Sequence, residues 1–171
     1  EESTLNPINP YGNTKAAIEK LLDDIYKSNP DKWYISNLRY FNPIGAHDSG
    51  LIGENPIGEI NNIFPLILQV AAKEKSLLRI FGNNWPTYDG TCVRDYIHVM
   101  DIAEGHLASL EYLFSQDPQL VSLNLGTGKG TSVLQLVETF KRVNNINIPY
   151  EFFERREGDV PRLVADNQLA S

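Results

Sequence analysis

The sequence predicts an α/β protein, and three observations carry that prediction. Stretches with apolar residues at helical spacing alternate along the chain with short β-rich runs, the order expected of strands joined by helices. The β-rich run 33–40 leads straight into Phe41, Asn42 and Pro43, so a polar side chain stands at the carboxyl end of a strand, where ligands lie in open parallel sheets. A composition of 42% hydrophobic and 22% charged residues over 171 positions suits a chain that buries one core.

Residues 1–10, with Pro7 and Pro10 among turn formers, read as an irregular approach. A helix is expected from about 11 to 28, because Ile18, Leu21, Leu22 and Ile25 recur at helical spacing and Asn29-Pro30-Asp31 stops it. After the strand 33–40, Pro43 argues for a loop, since proline lacks a ladder donor. Residues 45–62, rich in Gly, Pro and Asn, form a long connection of the functional or mobile kind. The stretch 63–75 is helical by its Ile63, Leu66, Ile67 and Val70. Asn61 and Asn62 precede it, either as its cap or as amides facing an anion or a polar base.

Residues 78–81 and 93–98 read as strands, the second alternating around Arg94. A helix over 101–116 would bury Ile102, Leu107, Leu110 and Leu113. A buried strand, 120–125, meets the turn 126–130, and Ser132 with Gln135 makes a capping box for a helix to about 144. The glycines of that turn match neither the dinucleotide fingerprint nor the P-loop, so they are read as tight turning. Residues 150–153 are expected to be the last strand.

Fifteen basic against 22 acidic residues give a net charge of −7 and argue against nucleic acid as the partner. One cysteine, Cys92, cannot form an internal disulfide, and the histidines at 47, 98 and 106 lack metal-ligand spacing with it, so no metal is expected. No apolar run reaches the ~18–20 residues that span a bilayer and no signal pattern opens the chain, so the expected setting is cytoplasmic, without a membrane partner.

The chemistry-bearing stretch is Asn9-Pro10-Tyr11-Gly12-Asn13-Thr14-Lys15. On a helix, Tyr11 and Lys15 stand four residues apart on one face, and a fixed ammonium favours the phenolate of a group that otherwise titrates near pH 10. Three further stretches follow in order: Leu38-Arg39-Tyr40-Phe41-Asn42-Pro43-Ile44-Gly45-Ala46-His47, then Asp89-Gly90-Thr91-Cys92-Val93-Arg94-Asp95-Tyr96-Ile97-His98-Val99-Met100-Asp101, then Arg155-Arg156-Glu157-Gly158-Asp159. Together the four motifs closely resemble the UDP-glucose 4-epimerases of the extended short-chain dehydrogenase/reductase superfamily, over nearly the whole chain.

The resemblance implies the last part of a Rossmann-type parallel sheet, residues 1–44 and 99–146, plus a smaller α/β substrate-binding domain, residues 45–98 and 147–171. It implies interconversion of UDP-glucose and UDP-galactose through a 4-keto intermediate with tightly bound NAD. Tyr11 would be the base, and Lys15 would hold its charge and meet the cofactor ribose. Tyr40 and Phe41 would border the nicotinamide. Arg94 and Arg156 would clamp the pyrophosphate with their planar guanidinium forks. Asn42 and Asn62 would contact the diphosphate, Arg79 to Phe81 would lie along the uridine, and Asp159 would accept from its ribose. The gate for hexose size falls at Leu163, intermediate between the tyrosine and the small residues of other members, so plain and N-acetylated hexoses both remain open. Arg79 departs from a position that is often small. Subunits of the family pair through a four-helix bundle that includes the helix from Tyr11, implying a homodimer.

The family's glycine-rich turn and the Ser/Thr partner of its tyrosine are missing from these residues, so the expectation is a C-terminal piece that alone neither holds NAD nor turns over. Two other readings stay open: a sugar-nucleotide dehydratase or decarboxylase of the same superfamily, and a non-catalytic sugar-nucleotide binding or dimerisation module.

Overall fold

The computed structural model describes residues 3–58 and 60–170 and has the expected α/β class with parallel strand pairs. Helix α1, Pro10–Ser28, opens on Asn9, whose side chain accepts from the Gly12 amide at 2.8 Å, and Pro10 takes the first helical position, where its missing N–H removes no bond. Strand β1, Ile35–Tyr40, pairs in parallel with β5, Leu120–Leu125, in register from Ile35 opposite Leu120 to Tyr40 opposite Leu125. Strand β4, Val93–His98, is the second organiser. Its last three residues pair in parallel with β2, Asn42–Ile44, and its first half pairs with β6, Gly130–Ser132, and β8, Arg162–Leu163. Strand β3, Leu78–Phe81, pairs in parallel with β7, Tyr150–Phe153.

Several expectations are corrected. Pro43 lies in a strand, not a loop; β2 is an edge strand, where a missing N–H costs no ladder bond. Gly130 starts β6 and ends the turn early, and β7 is followed by β8, too short for a sequence pattern. Helix α2, Ile63–Ala71, stops four residues before the expected end at Lys75. Lys73 adopts the left-handed conformation at φ 63°, with the Lys73 amide donating to the Val70 carbonyl and the Glu74 amide to that of Gln69. This is a Schellman stop built without glycine.

Helix α3, Val99–Ser115, was expected to bury Leu107 and Leu110, yet these are 58% and 49% exposed. The buried stripe is instead Ile102, Ser109 and Leu113, with Gly105 letting the helix approach Leu125 and Ser109 donating to Ser36 at 2.7 Å. Small residues set the phase of this face because they allow the closest approach. Helix α1 likewise leaves Ile18 and Leu21 exposed and buries no side chain fully.

Helix α4, Val133–Asn144, shares an apolar core with α2 and β3, made of Ile67, Val70, Leu78, Ile80, Val137 and Ile148. Its first turn is capped by Ser132 Oγ, which accepts from the Gln135 amide at 3.0 Å, and by Thr91 Oγ1, which accepts from Leu134. The return half of the expected capping box is absent: Gln135 Oε1 accepts from the Tyr88 hydroxyl, which itself accepts from the Ser132 amide.

Candidate active site

The N-terminal turn of α1 presents Tyr11, 71% exposed, with the Lys15 ammonium 5.2 Å from its ring centroid. Lys15 makes no ion pair among the described residues, so its charge is committed to nothing but this ring. The four-residue spacing places the pair on one face, as helical geometry requires.

Strand alternation on β1 separates its side chains. Ser36 and Tyr40 face α3: the Tyr40 hydroxyl lies 2.6 Å from His106 Nε2, and His106 Nδ1 lies 2.8 Å from the Ile102 carbonyl. A carbonyl only accepts, so Nδ1 carries the proton and Tyr40 donates to Nε2. Arg39 faces α1 and holds Glu19 through both carboxylate oxygens. The Tyr40 ring therefore lies on the face of β1 opposite the Arg39 side chain, and Phe41 follows directly after the strand. Asn42 follows as the first residue of β2 and is half-buried.

A second group of side chains gathers where β4, β8 and the segment 155–160 meet. Arg94 Nη1 donates to the Val160 carbonyl at 2.8 Å, and Nη2 pairs with Asp159 at 3.2 Å. The Arg156 guanidinium stacks 3.9 Å above the Phe81 ring and donates to the Asn61 carbonyl at 3.3 Å. Arg79 lies 5.1 Å over the Phe153 ring, and Leu163, 47% exposed, pairs opposite Arg94 in the ladder. Asn62 occupies the cap position of α2 without capping it; its amide donates to Glu54 at 2.6 Å. Of its two sequence readings, the side-chain cap is thus not realised.

Arg79, Phe81, Arg156 and Asn61 line a cleft of about 690 Å³ between α2 and the β3–β7 pair. Gln69 also lines it, and its Oε1 is buried without a hydrogen-bond partner, an acceptor that a bound donor would satisfy. The segment that bears Arg156 approaches the cap of the Tyr11 helix: a Cβ placed on Gly158 would lie 3.7 Å from the Asn9 side-chain Nδ2.

One constellation escaped the sequence reading. Asp95, fully buried on β4, accepts from the Thr127 amide at 2.8 Å, the Thr127 hydroxyl at 2.6 Å, the Gly128 amide at 2.9 Å and the Ala165 amide at 3.1 Å. The glycines of 126–130 do cradle an anion, and it is internal. An aspartate at an inward position of an alternating strand was the available signal.

Burial of the Tyr96 phenol raises its pKa from 10.0 to about 12, the nearby Arg94 acting weakly in the opposite direction. Burial also raises the Cys92 thiol. The Tyr96 shift favours the neutral form in the folded chain, so its stabilising share is full below pH 10 and is lost as the pH rises toward 12. Urea unfolding between pH 9 and pH 12 is expected to show an alkaline loss of up to about 2–3 kcal/mol that Tyr96→Phe removes. An identical alkaline slope in both proteins would contradict this.

Among the described residues no helix is long and apolar enough to cross a membrane, and no cluster of His, Cys, Asp or Glu could hold a metal ion. Comparison with known proteins agrees with the motif reading. UDP-glucose 4-epimerase 4 of Oryza sativa subsp. japonica is 52% identical over 165 residues, 96% of this chain and 44% of that protein. The UDP-glucose 4-epimerase of Pasteurella multocida is 51% identical over 162 residues, 95% of this chain and 47% of that one. Among solved structures, the UDP-glucose-4-epimerase of Stenotrophomonas maltophila with bound NAD and formylated UDP-arabinopyranose superposes with a TM-score of 0.94 at 45% identity, over 99% of this chain and 50% of that one. The Bifidobacterium longum enzyme in complex with NAD+ and UDP gives 0.93 at 42% identity, with the same coverage. The chain thus spans about half the length of the relatives it matches. The NAD dependent epimerase/dehydratase family matches residues 1–126, and with the motifs and the fold in agreement, the chain belongs to that family.

Proposed function

We propose that this chain carries the proton-transfer pair and the sugar-nucleotide site of a UDP-glucose 4-epimerase, acting where it meets a glycine-rich NAD-binding half. The observation that carries the proposal is the adjacency of Asn9 and Gly158, which sets the Tyr11 helix beside the arginine-bearing segment. In this reading residues 1–44 and 99–146 serve the cofactor side and 45–98 with 147–171 the UDP side, joined by the core that α4 shares with α2 and β3.

The residues suit NAD: an exposed phenol stands on the helix beside β1 with an ammonium that pairs with no carboxylate among the described residues, groups able to meet a ribose and a nicotinamide. Tyr11 and Lys15 would hold the cofactor together with the backbone of Tyr40 and Phe41. Nicotinamide, when bound, supplies the hydride acceptor that side chains lack. Tyr11 takes the proton of the C4 hydroxyl and returns it on the opposite stroke, and Lys15 stabilises the phenolate between the two. Arg94 and Arg156 hold the diphosphate, Asn42 and Asn62 add amide contacts, Asp159 accepts from the ribose, and Phe81 with Arg79 flanks the uracil. Leu163 borders the hexose. Firm binding at the nucleotide leaves the sugar free to present either face. The proposed protein is a cytoplasmic homodimer, supported by the exposed Ile18 and Leu21 on α1.

Calorimetric titration of this chain with UDP tests the site. Binding is expected, with Arg94→Ala and Arg156→Ala each weakening it about 10–100-fold, the range of a lost charge-assisted bond. No heat with UDP, or unchanged affinity in both variants, would remove the UDP site. Because the chain spans about half the length of the relatives it matches, a second reading applies to it in isolation, a UDP-sugar binding module, which predicts no response to NAD in the same cell.

A further inference from the structure

We infer that Arg39 and Glu19 are positioning residues that set the Tyr11 helix against the strand end facing it; this rests on the reading of Tyr11 as the base. Tyr11, Lys15 and Glu19 recur every four residues and so share one face of α1. Glu19 is the member of that stripe tied to the sheet. Arg39 Nε donates to Glu19 Oε1 at 2.8 Å and Nη2 to Oε2 at 2.6 Å, a two-point fork that fixes rotation as well as distance. The two side chains are 23% and 19% exposed, much less than in the other pairs of α1, which join Lys20 and Lys27 to Asp23 and Asp24 within the helix itself.

Apolar packing does not do this work. Within the chain α1 fully buries none of its residues, and the exposed Ile18 and Leu21 belong to the proposed dimer face, so apolar contact with the chain's own sheet holds its rotation about its own axis weakly. Arg39 is followed by Tyr40, the last residue of β1, and then by Phe41, so one ion pair ties the helix that bears the phenol to the strand that ends at the proposed cofactor edge. A phenol misplaced by about 1 Å costs on the order of 10²-fold in rate.

The test uses Arg39→Lys, which keeps the charge but loses the fork, and Glu19→Gln, which keeps the volume but loses the charge. In the complete enzyme each is expected to lower kcat about 30–100-fold with KM for the UDP-sugar changed less than about twofold. On this chain, amide exchange of residues 11–19 is expected to rise about tenfold in both variants, while UDP affinity stays at the parental value because no UDP-site residue lies on α1. Parental kcat in both variants, or a loss of rate matched by an equal loss of UDP affinity, would overturn the inference. Parental amide exchange in both would do so as well. If Tyr11→Phe itself turns over normally, the parent reading fails instead, and the two failures are told apart by that one variant.

Discussion

If the proposed epimerase function holds, Tyr11→Phe is expected to lower the rate of UDP-sugar epimerisation by the complete protein about 10³-fold, within the range for removing a general acid–base group. The substitution deletes one oxygen from an exposed ring and leaves the aromatic face over which the Lys15 ammonium sits at 5.2 Å. Stability and UDP affinity should therefore stay at parental values, since the Arg94 and Arg156 contacts belong to other elements. Steady-state kinetics paired with UDP titration separates the two: the effect falls on kcat. A variant retaining more than a tenth of the parental kcat would show that another group moves the proton.

The second large effect is on folding. Asp95→Ala leaves the amides of Thr127, Gly128 and Ala165 and the Thr127 hydroxyl without their acceptor; Ala165 is buried, while Thr127 and Gly128 lie on the exposed turn. The buried Ala165 donor left without an acceptor costs about 1–3 kcal/mol, and the exposed Thr127 and Gly128 donors turn to water, so a loss of about 2–4 kcal/mol is expected in urea unfolding. Asp95→Asn keeps the shape yet turns an NH₂ toward donors on whichever side it faces, and should cost about 2–4 kcal/mol. Because Asp95 anchors Ala165 while the adjacent Arg94 holds Asp159 and Val160, both variants should also weaken UDP binding. A change under about 1 kcal/mol in both would mean that the turn and the C-terminal segment hold themselves in place.

The pattern of apolar residues located the helices and most strands, since each repeat reports which face can be buried locally. It failed where burial was settled by a neighbour. Leu107 and Leu110 are as hydrophobic as Leu113, but α3 meets the sheet through Gly105 and Ser109, and close approach of small residues outweighed apolar character. Pro43 joined a strand because the edge of β4 offered a partner at no cost in donors. Lys73 ended α2 by adopting a conformation that composition does not advertise.

The candidate site divides in the same way. Its residue types, and the Tyr11–Lys15 pairing, were set by the sequence, because four-residue spacing is a property of any helix. The fold decided that Arg94 meets Asp159, that Arg156 stacks on Phe81, that Tyr40 turns to His106, and that a glycine turn encloses Asp95. Those contacts join residues dozens of positions apart, and only the pairing of distant strands brings such groups within hydrogen-bonding range.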